Sequence, residues 1–179
     1  MSRVPHISSP DIPPQIFTVG YGNRSPAQIF DLLKSNSCGY LIDVRSAPYS
    51  SYHKEYNRET LERNCQDYGL KYLFMGDQLG GKPKSDEFDD LGRADYTKMA
   101  AQPRFQAGMD RLIKAKTMGI PVALLCAELR PETCHRTRLI GISLAERGIE
   151  LVHIDEAGKL LSQSDALLRL DDGQEDLFS

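Results

Sequence analysis

The sequence predicts an α/β protein of three layers, with helices on both faces of a mainly parallel sheet of about five strands. Three observations predict it. Short apolar runs alternate with longer amphipathic stretches along most of the chain, as repeated strand-helix-strand units require. Glycines close the helical stretches, at Gly69, Gly119 and Gly148. One run, Pro121-Val122-Ala123-Leu124-Leu125, is apolar without alternation, as a strand covered on both faces must be.

The elements follow in order. Residues 1–14 hold four prolines and read as an irregular lead-in to a single domain over 15–158. Ile16-Phe17-Thr18-Val19 is β-branched and aromatic, a first strand ending in Gly20-Tyr21-Gly22. Ser25-Pro26 supplies an N-cap and a proline at the first helical position, opening a helix that runs to Leu33. Residues 40–44 form a second strand, 58–68 a second helix and 71–75 a third strand. The connection over 76–103, rich in Gly, Asp and Lys, is long for a compact domain and reads as a binding loop or lid. A helix over 104–116 precedes the apolar strand 121–125, a further helix spans about 134–147, and 150–154 is the last strand. Residues 159–179 read as a tail, with a short helix within 155–170 and an exposed end.

Composition excludes several classes. A chain of 179 residues with 40% hydrophobic and 26% charged residues builds one globular core and is not disordered. It has no apolar run of the ~18 residues a membrane span requires, and its first residues lack the apolar core of a secretory signal. Four cysteines without such a signal fit a reducing cytoplasm, not a disulfide scaffold. Net charge is -3, but the last nine residues carry four acidic groups and no basic one, which leaves the rest at +1. Bulk charge therefore does not hold this chain to nucleic acid. No dinucleotide-binding glycine fingerprint and no phosphate-loop lysine motif is present.

In open parallel sheets ligands bind outside the carboxyl ends of the strands. The unusual polar clusters all fall there: Tyr21, Asn23 and Arg24 after the first strand, Asp43, Arg45 and Ser46 at the second, Lys82 after the third, Cys126 and Glu128 after the fourth, His153 at the fifth. This Rossmann-like arrangement predicts a cleft on that edge. Asp43 and Arg45 are alternate strand residues and leave the same face. Arg45 offers a planar fork to a phosphate or carboxylate, or else closes a structural ion pair with Asp43. Tyr49, Tyr52 and His53 add rings suited to stacking on a base.

The densest chemistry lies between Cys126 and Arg136. Pro131 and Thr133 suit the start of a helix, so Cys134, His135 and Arg136 fall in its first turn, where an anion such as phosphate is favoured. Three readings of the cysteines stand side by side. Cys126 or Cys134 is a nucleophile, in a layout like that of thiol phosphatases and rhodaneses; but the phosphatase loop has Arg six residues after its Cys, and those positions here are Glu132 and Ile140. Alternatively Cys126, Glu128, Cys134 and His135 bind a divalent metal, although no closed zinc spacing is matched and CxxC is absent. Or the cysteines pack beside a site run by Glu128 and the arginines. Glu128 is a candidate general base or metal-binding carboxylate with Asp43 near it, or a scaffold partner of Arg45 or Arg136.

Thr18-Val19-Gly20-Tyr21-Gly22-Asn23-Arg24-Ser25, Asp43-Val44-Arg45-Ser46-Ala47-Pro48-Tyr49-Ser50, Leu79-Gly80-Gly81, and Cys126-Ala127-Glu128 with Pro131 and Cys134-His135-Arg136 together resemble the signature of the domain-of-unknown-function family 488, over roughly residues 16–154. The resemblance implies a shared fold and site, with no reaction attached, and brings with it a link to DNA processing or repair. Separately, Gln174-Glu175-Asp176-Leu177-Phe178 resembles the peptide by which bacterial repair and replication proteins bind the DNA sliding clamp. Gln174, Asp176, Leu177 and Phe178 fall on that motif's positions, while Glu175 replaces its frequent Leu.

The leading expectation is therefore a cytoplasmic DNA-processing or repair-associated protein. Its cleft binds a nucleotide or nucleic-acid phosphate through Tyr21, Asn23, Arg24, Arg45, Ser46, Lys82 and Arg136. Glu128 and Asp43 do acid–base or metal work, with Cys126, Cys134 and His135 beside them, and the tail recruits a clamp. The alternatives are a thiol-dependent small-molecule enzyme of sulfur-transfer type and a non-catalytic nucleic-acid adaptor.

Overall fold

The computed structural model describes residues 15–175. The lead-in over 1–14 lies outside them, as do Asp176, Leu177 and Phe178 of the clamp-like motif.

Strand β1 (Ile16–Gly20) is buried throughout. Helix α1 (Pro26–Ser35) starts at a reciprocal cap: the Ser25 hydroxyl accepts from the Gln28 amide and the Gln28 side chain accepts from the Ser25 amide. Strand β2 (Tyr40–Asp43) leads through a 3-10 turn (Lys54–Tyr56) to α2 (Arg58–Asp67) and β3 (Lys71–Phe74). The long connection holds two short helices, α3 (Gly76–Leu79) and α4 (Tyr96–Ala100), before α5 (Pro103–Thr117) and β4 (Val122–Cys126). A π-helical stretch (Arg136–Gly141) then runs into α6 (Ile142–Ala145), followed by β5 (Val152–Ile154), β6 (Leu160–Ser162) and α7 (Gln163–Glu175).

The sheet has six strands in the order β3-β2-β4-β1-β5-β6. The first five are parallel and β6 alone runs antiparallel, against β5. Right-handed crossovers fix which face each helix covers. The chain moves one way from β1 to β2 to β3, so α1 and α2 cover one face. It returns to β4 and goes on to β5 in the other direction, so α5 and the π/α6 segment cover the opposite face. The two cores agree: Ile29, Phe30, Leu33 and Leu61 pack with Val19, Leu41 and Leu125, whereas Phe105, Met109, Leu112 and Ile140 pack with Ile42, Val122 and Leu124.

The packed body runs on past residue 158. β6 is hydrogen-bonded into the sheet, and Gln163 and Ala166 of α7 are buried. Among the described residues no helix is long and apolar enough to cross a membrane.

Candidate active site

Topology singles out the carboxyl end of β4. Its neighbours β1 and β2 send their chains to one face of the sheet, and β4 sends its own to the other. A crevice must open where connections part in this way. Cys126 is the last residue of β4, paired with Gly20 of β1. The two segments stay together beyond the strands, since the Tyr21 amide donates to the Cys126 carbonyl at 3.0 Å and the Gly22 amide to that of Ala127 at 2.9 Å. A side chain at Gly20 would put its Cβ 1.8 Å from the Glu128 carbonyl oxygen, so only glycine permits this approach.

The crevice is a solvent-open cleft of about 400 Å³. Tyr21 forms one wall, stacked on Tyr56 with ring centroids 4.0 Å apart. Ser46, Tyr49 and Ser50 come from the loop after β2, Gly81, Lys82 and Tyr96 from the long connection, and Cys126, Glu128 and His135 from the segment after β4.

At the floor lies a sulfur–imidazole cluster. The His135 Nδ1 is 3.8 Å from the Cys126 sulfur and 3.6 Å from that of Cys134. Its Nε2 is 3.2 Å from the Val44 carbonyl, which can only accept, so Nε2 carries a hydrogen and Nδ1 is left facing the two sulfurs. The Cys126 thiol is lowered far below an ordinary thiol by the hydrogen bond from Cys134 and then by the bond and charge of His135, against the cost of burial. Cys134 goes the other way, pushed up by complete burial and by the charge on Cys126. Burial alone pushes Cys38 up to about 12, and burial with nearby acidic charge does the same to Cys65, so both are inert packing groups. Glu128 stands exposed on the rim; partial desolvation and the charge on Cys126 hold its carboxyl above the usual range. Gly81 lies flat on the imidazole, where a Cβ would come 2.6 Å from the His135 ring carbon.

The structure thus brings Tyr21, Arg45, Ser46, Lys82, Cys126, Glu128 and His135 to one cleft, with Cys134 sealed beneath it. The guanidinium groups of the expected phosphate-binding arginines are engaged by the protein itself. The Arg45 guanidinium donates to both Asp43 oxygens, at 2.9 and 2.6 Å, and to the Tyr56 carbonyl at 2.8 Å. Asp43 is fully buried and also accepts from the Tyr72 hydroxyl at 2.8 Å, so the pair is scaffold. Arg136 is fully buried behind the cleft and donates to the Glu128 and Leu129 carbonyls at 2.8 and 3.0 Å, stapling the loop that carries Glu128. Arg24 ties the end of β1 to that of β5 through the carbonyls of Gly20 and Asp155, and Asn23 is exposed; neither lines the cleft. Tyr96 was not legible as a site residue. The only signal toward it was the length of the connection in which it lies.

A family model described as "Domain of unknown function DUF488" matches residues 25–159. The match takes in the Asp43–Arg45 pair, the long connection and the whole sulfur–imidazole cluster, and begins after Gly20-Tyr21-Gly22. No curated protein and no solved structure matches the chain. The matched segment spans well over half of the sequence and all of the cluster at the end of β4, and on that ground the chain belongs to the DUF488 family.

Proposed function

We propose that this chain is a thiolate-dependent enzyme that works in a reducing cytoplasm on a small polar substrate in the cleft at the end of β4. One observation carries the reading: the Cys126 sulfur, His135 Nδ1 and Cys134 sulfur converge at the floor of that cleft, at the point where the sheet's topology opens. Cys126 supplies the negative sulfur, His135 takes its proton, and Glu128 on the rim handles protons of the substrate. Lys82 and the exposed Tyr49 favour a substrate with an anionic group and a flat ring, as a nucleotide has.

The test is alkylation of the chelator-treated protein by iodoacetamide at neutral pH, read by peptide mass spectrometry. Cys126 is expected to react well ahead of Cys38 and Cys65, and His135→Ala to slow it at least tenfold. Equal rates at Cys126 and Cys65 would remove the thiolate from the mechanism.

The sequence Gln174-Glu175-Asp176-Leu177-Phe178 favours a second reading, in which the protein acts on DNA and is held there by a sliding clamp. Exposed Tyr49, which lines the cleft with Lys82, gives that reading a ring face for an unpaired base. Micromolar binding to a bacterial clamp, lost in a Leu177→Ala/Phe178→Ala variant, would support it. No binding up to about 1 mM, or only about -4 kcal/mol, would dismiss it.

A further inference from the structure

We infer that Cys126, Cys134 and His135 together hold a zinc-class divalent cation, with a fourth coordination position open to the cleft. The inference deepens the proposed function and rests on its premise that this cluster is the reaction centre; it changes what the sulfur does there, from free thiolate to ligand.

The geometry is that of a coordination sphere. The three donor atoms lie within 4.8 Å of one another, with nitrogen–sulfur separations of 3.6 and 3.8 Å. Around a tetrahedral zinc with Zn–S of about 2.3 Å and Zn–N of about 2.0–2.1 Å, the edges between ligands come to about 3.5–3.8 Å. A cation therefore fits between these atoms with little movement of the side chains. The donor set, two sulfurs and one imidazole, is the soft set that selects zinc over magnesium or calcium. His135 is also oriented as a ligand: Nδ1 faces the sulfurs while Nε2–H is fixed on the Val44 carbonyl, the outer-shell contact that metal-bound imidazoles make. Gly81 packs closely on the ring, where a Cβ would come 2.6 Å from Cγ and 2.9 Å from Nδ1.

The count of ligands says what kind of site it is. Among the described residues the cluster has three members, not four. Structural zinc sites close with four protein ligands, and catalytic ones keep three and leave a position for water or substrate. Cys134 is sealed beneath, whereas Cys126 and His135 line the cleft, so the missing position opens on the cleft side. Glu128 lines the same cleft without belonging to the cluster, and is placed to exchange a proton with whatever occupies that position.

The experiment uses the full chain, stripped by a chelator under reducing conditions and titrated with cobalt(II), then zinc. The expected result is one cobalt per chain, a sulfur-to-cobalt charge-transfer band and the intense visible bands of tetrahedral coordination, all displaced by zinc. Cys126→Ser and Cys134→Ser should each weaken binding by about 100-fold or more, beyond what outer-shell changes cause. Circular dichroism checks that each is folded, and His135→Gln serves as the third ligand variant if a cysteine variant is not. Glu128→Gln should bind cobalt as the parent does. Octahedral spectra, binding that survives the Cys126→Ser/Cys134→Ser pair, or no stoichiometric binding at micromolar cobalt would overturn the inference. If no metal binds yet Cys126 still alkylates rapidly with His135 present, the thiolate enzyme stands and the metal site falls. If Cys126 is also unreactive, both fall.

Discussion

Arg45 stands at the edge of the cleft, but its hydrogen bonds go to the protein. Two of its nitrogens are taken by Asp43, and the pair sits at 6% and 0% exposure. A buried pair of this kind adds little net stability, yet breaking it leaves a buried charge with no partner. Asp43→Ala should lower the unfolding free energy by about 3–5 kcal/mol in urea titrations. Asp43→Leu with Arg45→Met should recover much of that loss, an outcome that a ligand-binding Arg45 would not predict. Gly81 sets a different kind of constraint. Gly81→Ala should displace the His135 ring and slow alkylation of Cys126 several-fold, with little change in unfolding free energy because the loop surface is only half-buried. These residues also mark what the sequence made legible of the site. Cys126, Glu128, Cys134 and His135 stand within ten positions after an apolar strand, and short-range geometry keeps them together. Arg136 follows at once, but the turn carries its side chain to the back of the loop, and no spacing rule shows which side of that turn faces the cleft. Whether Arg45 meets a ligand or Asp43 depended on what covers it, here the Tyr56 carbonyl and the Tyr72 hydroxyl next to Asp43.

The strands and long helices were readable as elements because their apolar faces repeat over whole turns or runs. The connection after β3 was not. α3 and α4 have four and five residues, too few for a period of 3.6 to appear. Instead the segment is organised by one buried carboxylate. Glu87 is fully buried, receives both terminal nitrogens of Arg104 from α5, accepts from the Lys84 amide at 2.8 Å, and offers its own carbonyl to Asp95. This fastens the stretch between Lys82 and Tyr96, and both of those residues line the cleft. Glu87→Ala should free the stretch without unfolding the sheet. Hydrogen exchange should rise over residues 82–96 while β4 stays protected, and protease cleavage should move into this segment. An equal loss of protection in β4 would mean that the segment is part of the global folding unit. The helix expected over 134–147 is likewise present in a different form. It begins as a π-helix at Arg136, in which every residue but Arg138 is buried. Such turns recur at functional sites, and this one follows directly on Cys134 and His135.

At the scale of the whole molecule, the order of the strands does what no single element does: it puts β4 between β1 and β2 and so places the cleft over Cys126. The late part of the chain closes the other flank through a buried polar chain. The Thr18 hydroxyl donates to His153 Nδ1 at 2.6 Å, His153 Nε2–H donates to the Gln163 side-chain oxygen at 2.7 Å, and the Gln163 amide donates to the Thr137 carbonyl at 3.0 Å. β1, β5, α7 and the π-helix are joined by it, so its protonation state bears on global stability. Burial pushes His153 down to about 4; the Gln163 hydrogen bond opposes this and the nearby Arg136 charge adds to it. In the unfolded chain the same imidazole titrates near about 6.5. Above that pH neither state holds the proton and the contribution is complete. Between about 6.5 and 4 the unfolded chain binds a proton that the folded chain refuses, so stability falls as pH falls, by up to roughly 3 kcal/mol. Below about 4 the folded state takes the proton as well and the loss stops growing. Urea unfolding measured from pH 7.5 to 4.5 should follow this slope. His153→Gln should start from lower stability, since it disturbs the Thr18 and Gln163 contacts, but should show a much flatter profile. A parent profile that is itself flat between pH 7 and 5 would mean that His153 is charged within the sheet, and the neutral chain from Thr18 to Thr137 would have to be redrawn.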